Sequence, residues 1–280
     1  MIVSEIDRRQ TAILTVDVED NFFEWELVRA EDWGRYEKQV VENTGSVIAL
    51  LKEIGAEATF FVAGKVAERH AEVVSMIVEA DFELGSHGYA HKPLWGMTER
   101  EFAQDLENSL NCLTRISGTK VKGFRAPFFS IGKKNLWALD IVKRFGFEYD
   151  ASMKDVEMPD EACLVIPEFP VSTKRFLGRD LALSGGVALR LMPFSPYLNT
   201  LERSASFNRC PLIYFHAWEF NKDQPKRNVG LFQSLFQSSF TFTTPGKVRR
   251  LANYFRFLSI GRYIGERCYE DRISDGARKI

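Results

Sequence analysis

The chain has 280 residues, 45% of them hydrophobic and 27% charged, and its 37 Lys and Arg stand against 38 Asp and Glu. Near neutrality excludes a nucleic-acid binder driven by net positive charge, so any basic site is local. The globular mix excludes long disorder, collagen-like repeats and a membrane-spanning protein, and the length admits one α/β barrel as readily as two smaller domains.

No segment approaches the roughly 20 apolar residues that cross a bilayer. The N-terminus, MIVSEIDRRQTAIL, mixes charges into its first ten residues and lacks the apolar stretch and cleavage site of a signal peptide, so the expected location is the cytoplasm. The four cysteines, Cys112, Cys163, Cys210 and Cys268, are dispersed and suggest neither a disulfide framework nor a thiolate metal site.

In chain order, AILTV (12–16) reads as a buried strand that ends in a cluster of acids. Thr44 is the expected N-cap of a helix carrying Val47, Leu50, Leu51 and Ile54 and stopped by Gly55. The strand ATFFV (58–62) follows, then one helical stripe from Lys65 to Ala80, then the short strand FELGS, which delivers His87. Thr98 and Glu101 form a capping box for a helix carrying Phe102, Leu106, Leu110 and Leu113. The strand around VKGF delivers Arg125, a helix through Leu136, Leu139 and Val142 stops near Gly146, and FEYD delivers Asp150. Prolines and glycines break residues 155–209 into strands and loops, an elaboration rather than a separate domain. PLIYF (211–215) then delivers His216, and Val248, Leu251, Phe255 and Leu258 predict a C-terminal helix, about 245–270, docked on the rest. Peripheral membrane contact through that helix is the alternative use of its apolar face.

Polar residues thus follow strands, one set per βα unit, as in α/β barrels, and no Gly-rich loop of a doubly wound sheet follows the first strand. The expectation is a single irregular (β/α) barrel over residues 1–280, with its core at about 10–220. His87 and His91 stand four apart, a spacing that suits a divalent metal. Asp17, Glu19 and Asp20 sit at a strand end, where Asp17 and Glu19 share a face, so that one carboxylate can bind metal while the other acts as a base. His70, in the charged stretch AERHAEV, reads as structural.

The motifs TVDVED, SHGYAH, GFRAP and YFHAWEF, in this order, resemble those of the NodB-type polysaccharide deacetylases, carbohydrate esterase family 4. The segment EFPVST…LSGG and the tail resemble a branch of that family found near exopolysaccharide export and protein-sorting loci. The resemblance implies a distorted (β/α) barrel and a metal-dependent hydrolase that removes an N-acetyl group from an amino-sugar glycan or its precursor, releasing acetate. It implies Asp17 as base, His87 and His91 as metal ligands, Arg125 as the residue orienting the base, His216 as general acid and Asp150 as the acid that tunes it. The Phe128 N–H matches the family's oxyanion donor, and Trp218 and Glu219 are candidates to line the sugar site. Val18 stands where the family usually has its metal-binding Asp, which makes Glu19 the expected third ligand and Asp20 the runner-up. Gly88 replaces a common Ser or Thr. The expected ion is zinc. Two rival readings use the same residues: an amidase of the same fold acting on a small non-sugar amide, as allantoinase-like relatives do, and a non-catalytic glycan-binding module.

Overall fold

A computed structural model describes residues 9–19, 39–159, 161–176, 179–208, 210–223 and 239–277. Asp20 lies outside the described residues.

The first unit runs from β1 (Gln10–Val18) through α1 (Gln39–Glu53), β2 (Thr59–Val62), α2 (Gly64–Arg69) and α3 (Ala71–Glu79) to β3 (Glu83–Ser86). Then come α4 (Glu99–Ser117), β4 (Gly123–Phe124), α5 (Trp137–Arg144) and β5 (Tyr149–Asp150). The elaboration holds α6 (Ala162–Val165), the hairpin of β6 (Thr173–Phe176) and β7 (Arg179–Ala182), α7 (Val187–Leu191) and α8 (Phe194–Asn208). The chain returns through β8 (Leu212–His216), α9 (Thr244–Leu251), β9 (Phe255–Leu258) and α10 (Ile260–Ala277).

Seven strands pair in parallel in the order β5-β4-β3-β2-β1-β8, with β9 on the first residues of β1. Strand alternation sorts their side chains into two buried sets. Leu14, Val16, Phe60, Val62, Ile213 and Phe215 pack under the helices, whereas Ile13, Phe61, Tyr149, Ala151, Tyr214 and Leu258 fill the concave side. Burial on both faces is why these strands read as unbroken apolar runs.

The sheet curls, and the elaboration bridges its open side. Residues 167–171 run parallel to 150–153, through bonds such as Phe169 N–H to Asp150 O and Val171 N–H to Met153 O, both at 2.9 Å. After the hairpin, Gly185 forms a parallel bridge to Tyr214 of β8. A Cβ at Gly185 would lie 1.8 Å from the Tyr214 carbonyl oxygen, so only glycine permits that approach. The segments EFPVST and LSGG are thus the two rails that complete the distorted barrel.

Three local expectations are corrected. Thr44 is not an N-cap: it lies inside α1, buried, and its hydroxyl donates to the Val40 carbonyl four residues back. The stripe from Lys65 to Ala80 is two helices broken at buried His70, whose φ of −132° and ψ of 68° are non-helical. Nothing in the periodicity marks that break. The tail is not one amphipathic helix, since Phe255 and Leu258 belong to β9, with Phe255 under the helices and Leu258 on the concave side. Its apolar residues are therefore consumed by the core, which removes them as a membrane-facing surface. Among the described residues no helix is long and apolar enough to cross a membrane.

Candidate active site

β1 supplies the first two groups. Its register sets Asp17 opposite Phe61 on β2 and His216 on β8, which puts the two ionisable residues on neighbouring strand ends. Buried Asp17 accepts a 2.8 Å charge-assisted bond from Arg125 Nη1. Arg125 itself is wholly enclosed: Nη1 also donates to Thr15 Oγ1 at 2.9 Å, Nε donates to the Ala151 carbonyl at 3.1 Å, and the Phe61 ring lies 4.4 Å from its guanidinium carbon. A guanidinium fixed on three sides holds one carboxylate oxygen in place.

The SHGYAH loop is shaped by backbone constraints. Gly88 has φ +69°, and a Cβ there would stand 3.0 Å from Asp105 Oδ2, a position that favours glycine. Asp105 accepts N–H bonds from Tyr89 at 2.7 Å and Ala90 at 3.0 Å, tying the loop to α4. His87 Nδ1 lies 2.8 Å from the Arg125 carbonyl. A carbonyl only accepts, so Nδ1 carries the hydrogen and Nε2 keeps its lone pair, as a metal-binding imidazole requires.

Glu19 brings its carboxylate to both imidazoles, with Oε2 at 2.5 Å from His91 Nε2 and 3.7 Å from His87 Nε2. Burial would raise its pKa, yet the neighbouring imidazoles, the His91 and His216 charges foremost, hold it well below the usual carboxylate range. The donor atoms of Glu19, His87 and His91 all lie within 4.8 Å of one another. Two imidazoles with one carboxylate fit a divalent ion, and the fixed His87 tautomer strengthens that fit.

His216 stands opposite. Its Nε2 is 3.6 Å from Glu19 Oε1, and the Trp218 ring stacks on it at 5.2 Å between centroids. Trp218 Nε1 donates to Glu19 Oε1 at 3.3 Å, so Trp218 is buried beside the carboxylate rather than spread along the rim. Burial lowers the His216 pKa, but the carboxylates of Glu19 and Glu219 outweigh it and push the value up to about 9.

Asp150 is not at His216. It lies between Tyr149 and Ala151, both on the concave side, and alternation turns its carboxylate the other way. There it accepts Ser152 Oγ–H at 2.6 Å and pairs with buried Glu168; burial raises the Asp150 pKa to about 7. The carboxylate on His216 Nδ1 is Glu219, at 3.1 Å. Glu219, expected to line a sugar site, is fully buried.

Phe128 sits in a one-turn 3-10 segment with φ 59°, and Phe129 follows at φ 50°. Two successive non-glycine residues in the left-handed region store about 1–3 kcal/mol of strain each, of the kind concentrated at functional turns. Half-exposed Phe128 packs 5.1 Å from His91, and Trp95, 70% exposed, lies beyond it at 6.4 Å. This aromatic rim was not legible in the sequence, where a tryptophan after the histidine loop carries no mark of exposure.

Ionisable groups gathered at the carboxyl ends of parallel strands place the chain in the class of α/β barrel proteins that carry their site at the strand ends. Within it, the chain belongs to the polysaccharide deacetylase family, which matches residues 8–149. Residues 143–265 match a second family, described as "Domain of unknown function (DUF3473)". The chain is 30% identical over 101 residues to the peptidoglycan-N-acetylglucosamine deacetylase of Bacillus cereus, covering 36% of this chain and 37% of that protein. It is 27% identical over 120 residues to the chitooligosaccharide deacetylase of Azorhizobium caulinodans, covering 41% and 56%. The chain therefore spans well under two thirds of these relatives. Its fold is similar to that of a putative polysaccharide deacetylase from Mycobacterium smegmatis, with TM-score 0.59 at 16% identity over 96% of this chain and 94% of that one. It is also similar to a CE4 family pseudoenzyme from Bacillus anthracis, with TM-score 0.52 at 15% identity over 91% and 65%, so fold alone does not establish turnover.

Proposed function

We propose that the protein hydrolyses the N-acetyl amide of an amino-sugar-containing glycan or glycan precursor, releasing acetate and a free amine. The observation that supports this reading best is the facing arrangement of the Glu19/His87/His91 cluster with the Arg125-held Asp17 and the neighbouring His216.

A divalent ion held by Glu19, His87 and His91, zinc being first choice, would supply Lewis acidity toward water and the amide carbonyl. Asp17 takes the proton of the attacking water as its oxygen bonds to the carbonyl carbon. Arg125 keeps that carboxylate aimed. The Phe128 N–H serves the developing oxyanion, for which its constrained turn suits it. His216, whose protonated ring the buried Glu219 carboxylate beside Nδ1 favours, gives its proton to the amine nitrogen as the C–N bond breaks.

Metal analysis of the purified protein, paired with acetate release from a panel of N-acetylated amino sugars and their oligomers, tests this reading. Metal binding with no acetate from any of them would support a glycan-binding module. Release only from small non-sugar amides would support the amidase. The proposal extends to one domain over the whole chain, to the exopolysaccharide and sorting-locus branch, and to a cytoplasmic site, for which the exposed thiols of Cys163 and Cys268 are suited.

A further inference from the structure

The residues after β8 form a buried layer beneath the histidine. His216, Trp218 and Glu219 lie on β8 and the following 3-10 turn, Ala217–Phe220, which bends the chain so that the residue three positions on returns under the imidazole. Glu219 Oε1 is 3.1 Å from His216 Nδ1, and the same oxygen is 3.5 Å from Arg190 Nε. Both side chains of the Glu219–Arg190 pair are 1% exposed. Glu219 Oε2 meets no hydrogen-bond donor among the described residues, so this carboxylate is directed at His216 and Arg190. Arg190 is itself anchored: Nη1 donates to the Ser239 carbonyl at 2.8 Å, and its guanidinium carbon lies 5.4 Å from the Trp218 ring. Lys247 Nζ closes the end of α7, which carries Arg190, by donating to the carbonyls of Leu189, Arg190 and Met192 at 2.7, 2.8 and 2.8 Å.

We infer that Glu219, steadied by Arg190, is the positioning residue of His216: it holds the Nδ1–H tautomer and the ring plane so that Nε2 faces the reacting amide. A buried carboxylate can only accept, so the hydrogen of the neutral ring is fixed on Nδ1, and proton delivery is confined to Nε2. A charged pair this deep, with one partner three residues from the histidine, costs desolvation, and for stability alone an apolar pair would serve as well. Both members come from the part of the chain beyond the polysaccharide deacetylase match, which makes the elaboration and the β8 turn contributors to the site. The inference rests on the hydrolytic reading for its effect on rate, though not for its effect on the ring.

The test uses the full-length protein loaded with zinc. Ring-nitrogen NMR of His216, recorded at a pH high enough for the ring to be neutral, reports the tautomer, and steady-state acetate release separates kcat from KM. Glu219→Ala is expected to populate the Nε2–H tautomer and lower kcat by about 10²-fold, the scale of a displaced general acid, with KM and zinc content nearly unchanged. Because this variant leaves Arg190 uncompensated, Glu219→Ala is also made with Arg190→Met, which removes both charges and is expected to show the same two effects. Glu219→Gln, which keeps an acceptor at Nδ1, is expected to recover most of kcat. An unchanged tautomer and kcat in the double variant overturns the inference, as does a tautomer change caused by Asp150→Asn and not by loss of Glu219. If the wild-type protein releases no acetate, the hydrolytic reading fails, and the NMR comparison still decides the role of Glu219.

Discussion

Asp17 and Glu19 are two residues apart, yet their surroundings separate their roles. Arg125, buried and bonded to Asp17 Oδ1, suits that carboxylate to accept a proton in a fixed direction, while Glu19 faces two imidazoles and suits a cation. Asp17→Asn is expected to keep the metal and lose at least ~10²-fold in turnover. His87→Ala is expected to lose the metal itself, and elemental analysis beside acetate release distinguishes the two. Equal metal content in the His87 variant would remove the cluster from the mechanism. The second acidic pair behaves differently. Burial lifts Asp150 from 3.8 to about 7, and burial with the Asp150 charge lifts Glu168 well above the ordinary value. An acid with a raised folded-state pKa holds its proton in the folded chain after the unfolded chain has lost it, so its contribution is full below about pH 4 and disappears as pH rises through about 7. Urea midpoints are therefore expected to fall across that window. Glu168→Gln, which retains an acceptor for the Met153 N–H, is expected to flatten the fall, and an unaltered slope would show that the pair does not control it.

At the scale of elements, the departures from periodicity come from pairing partners distant in sequence. Phe255 and Leu258 continue the spacing of Val248 and Leu251, and a helix through all four satisfies the pattern, but Gln10–Ile13 offers an unpaired strand edge that takes Phe255–Leu258 as β9. The start of α10 then seals the amino end of the barrel, with Ile260 N–H on Thr59 Oγ1 and Gly261 N–H on Glu83 Oε2, both at 2.9 Å. The rail at Gly185 is the other such element. Gly185→Ala forces a methyl group against the Tyr214 backbone, an overpacking cost of about 1–3 kcal/mol that is expected to lower Tm by several degrees. A thermal melt identical to wild type would mean that 183–186 does not close the sheet against β8.

At the scale of the molecule, the segments matching two families share one sheet: β8 and β9, from the second, pair with β1, from the first. A fragment ending at residue 150 would expose the edges of β1 and the apolar concave side, so it is expected to aggregate, whereas the whole chain is expected to unfold in one cooperative step followed by tryptophan fluorescence. Two separate transitions would argue for two domains. The sequence by itself determined the βα order, the capping box at Thr98, the strand ends that carry Asp17, His87, Arg125 and His216, and the polysaccharide deacetylase resemblance. These depend on local periodicity and on motif order, which a linear chain displays. Tertiary structure alone decided that Asp150 turns from His216 toward Glu168 and that Glu219 and Arg190 meet beneath the imidazole. It also decided that the tail becomes a strand and that Gly185 closes the sheet on Tyr214. Each of these depends on which side of a strand faces inward or on which distant backbone lies alongside, and residue spacing carries neither.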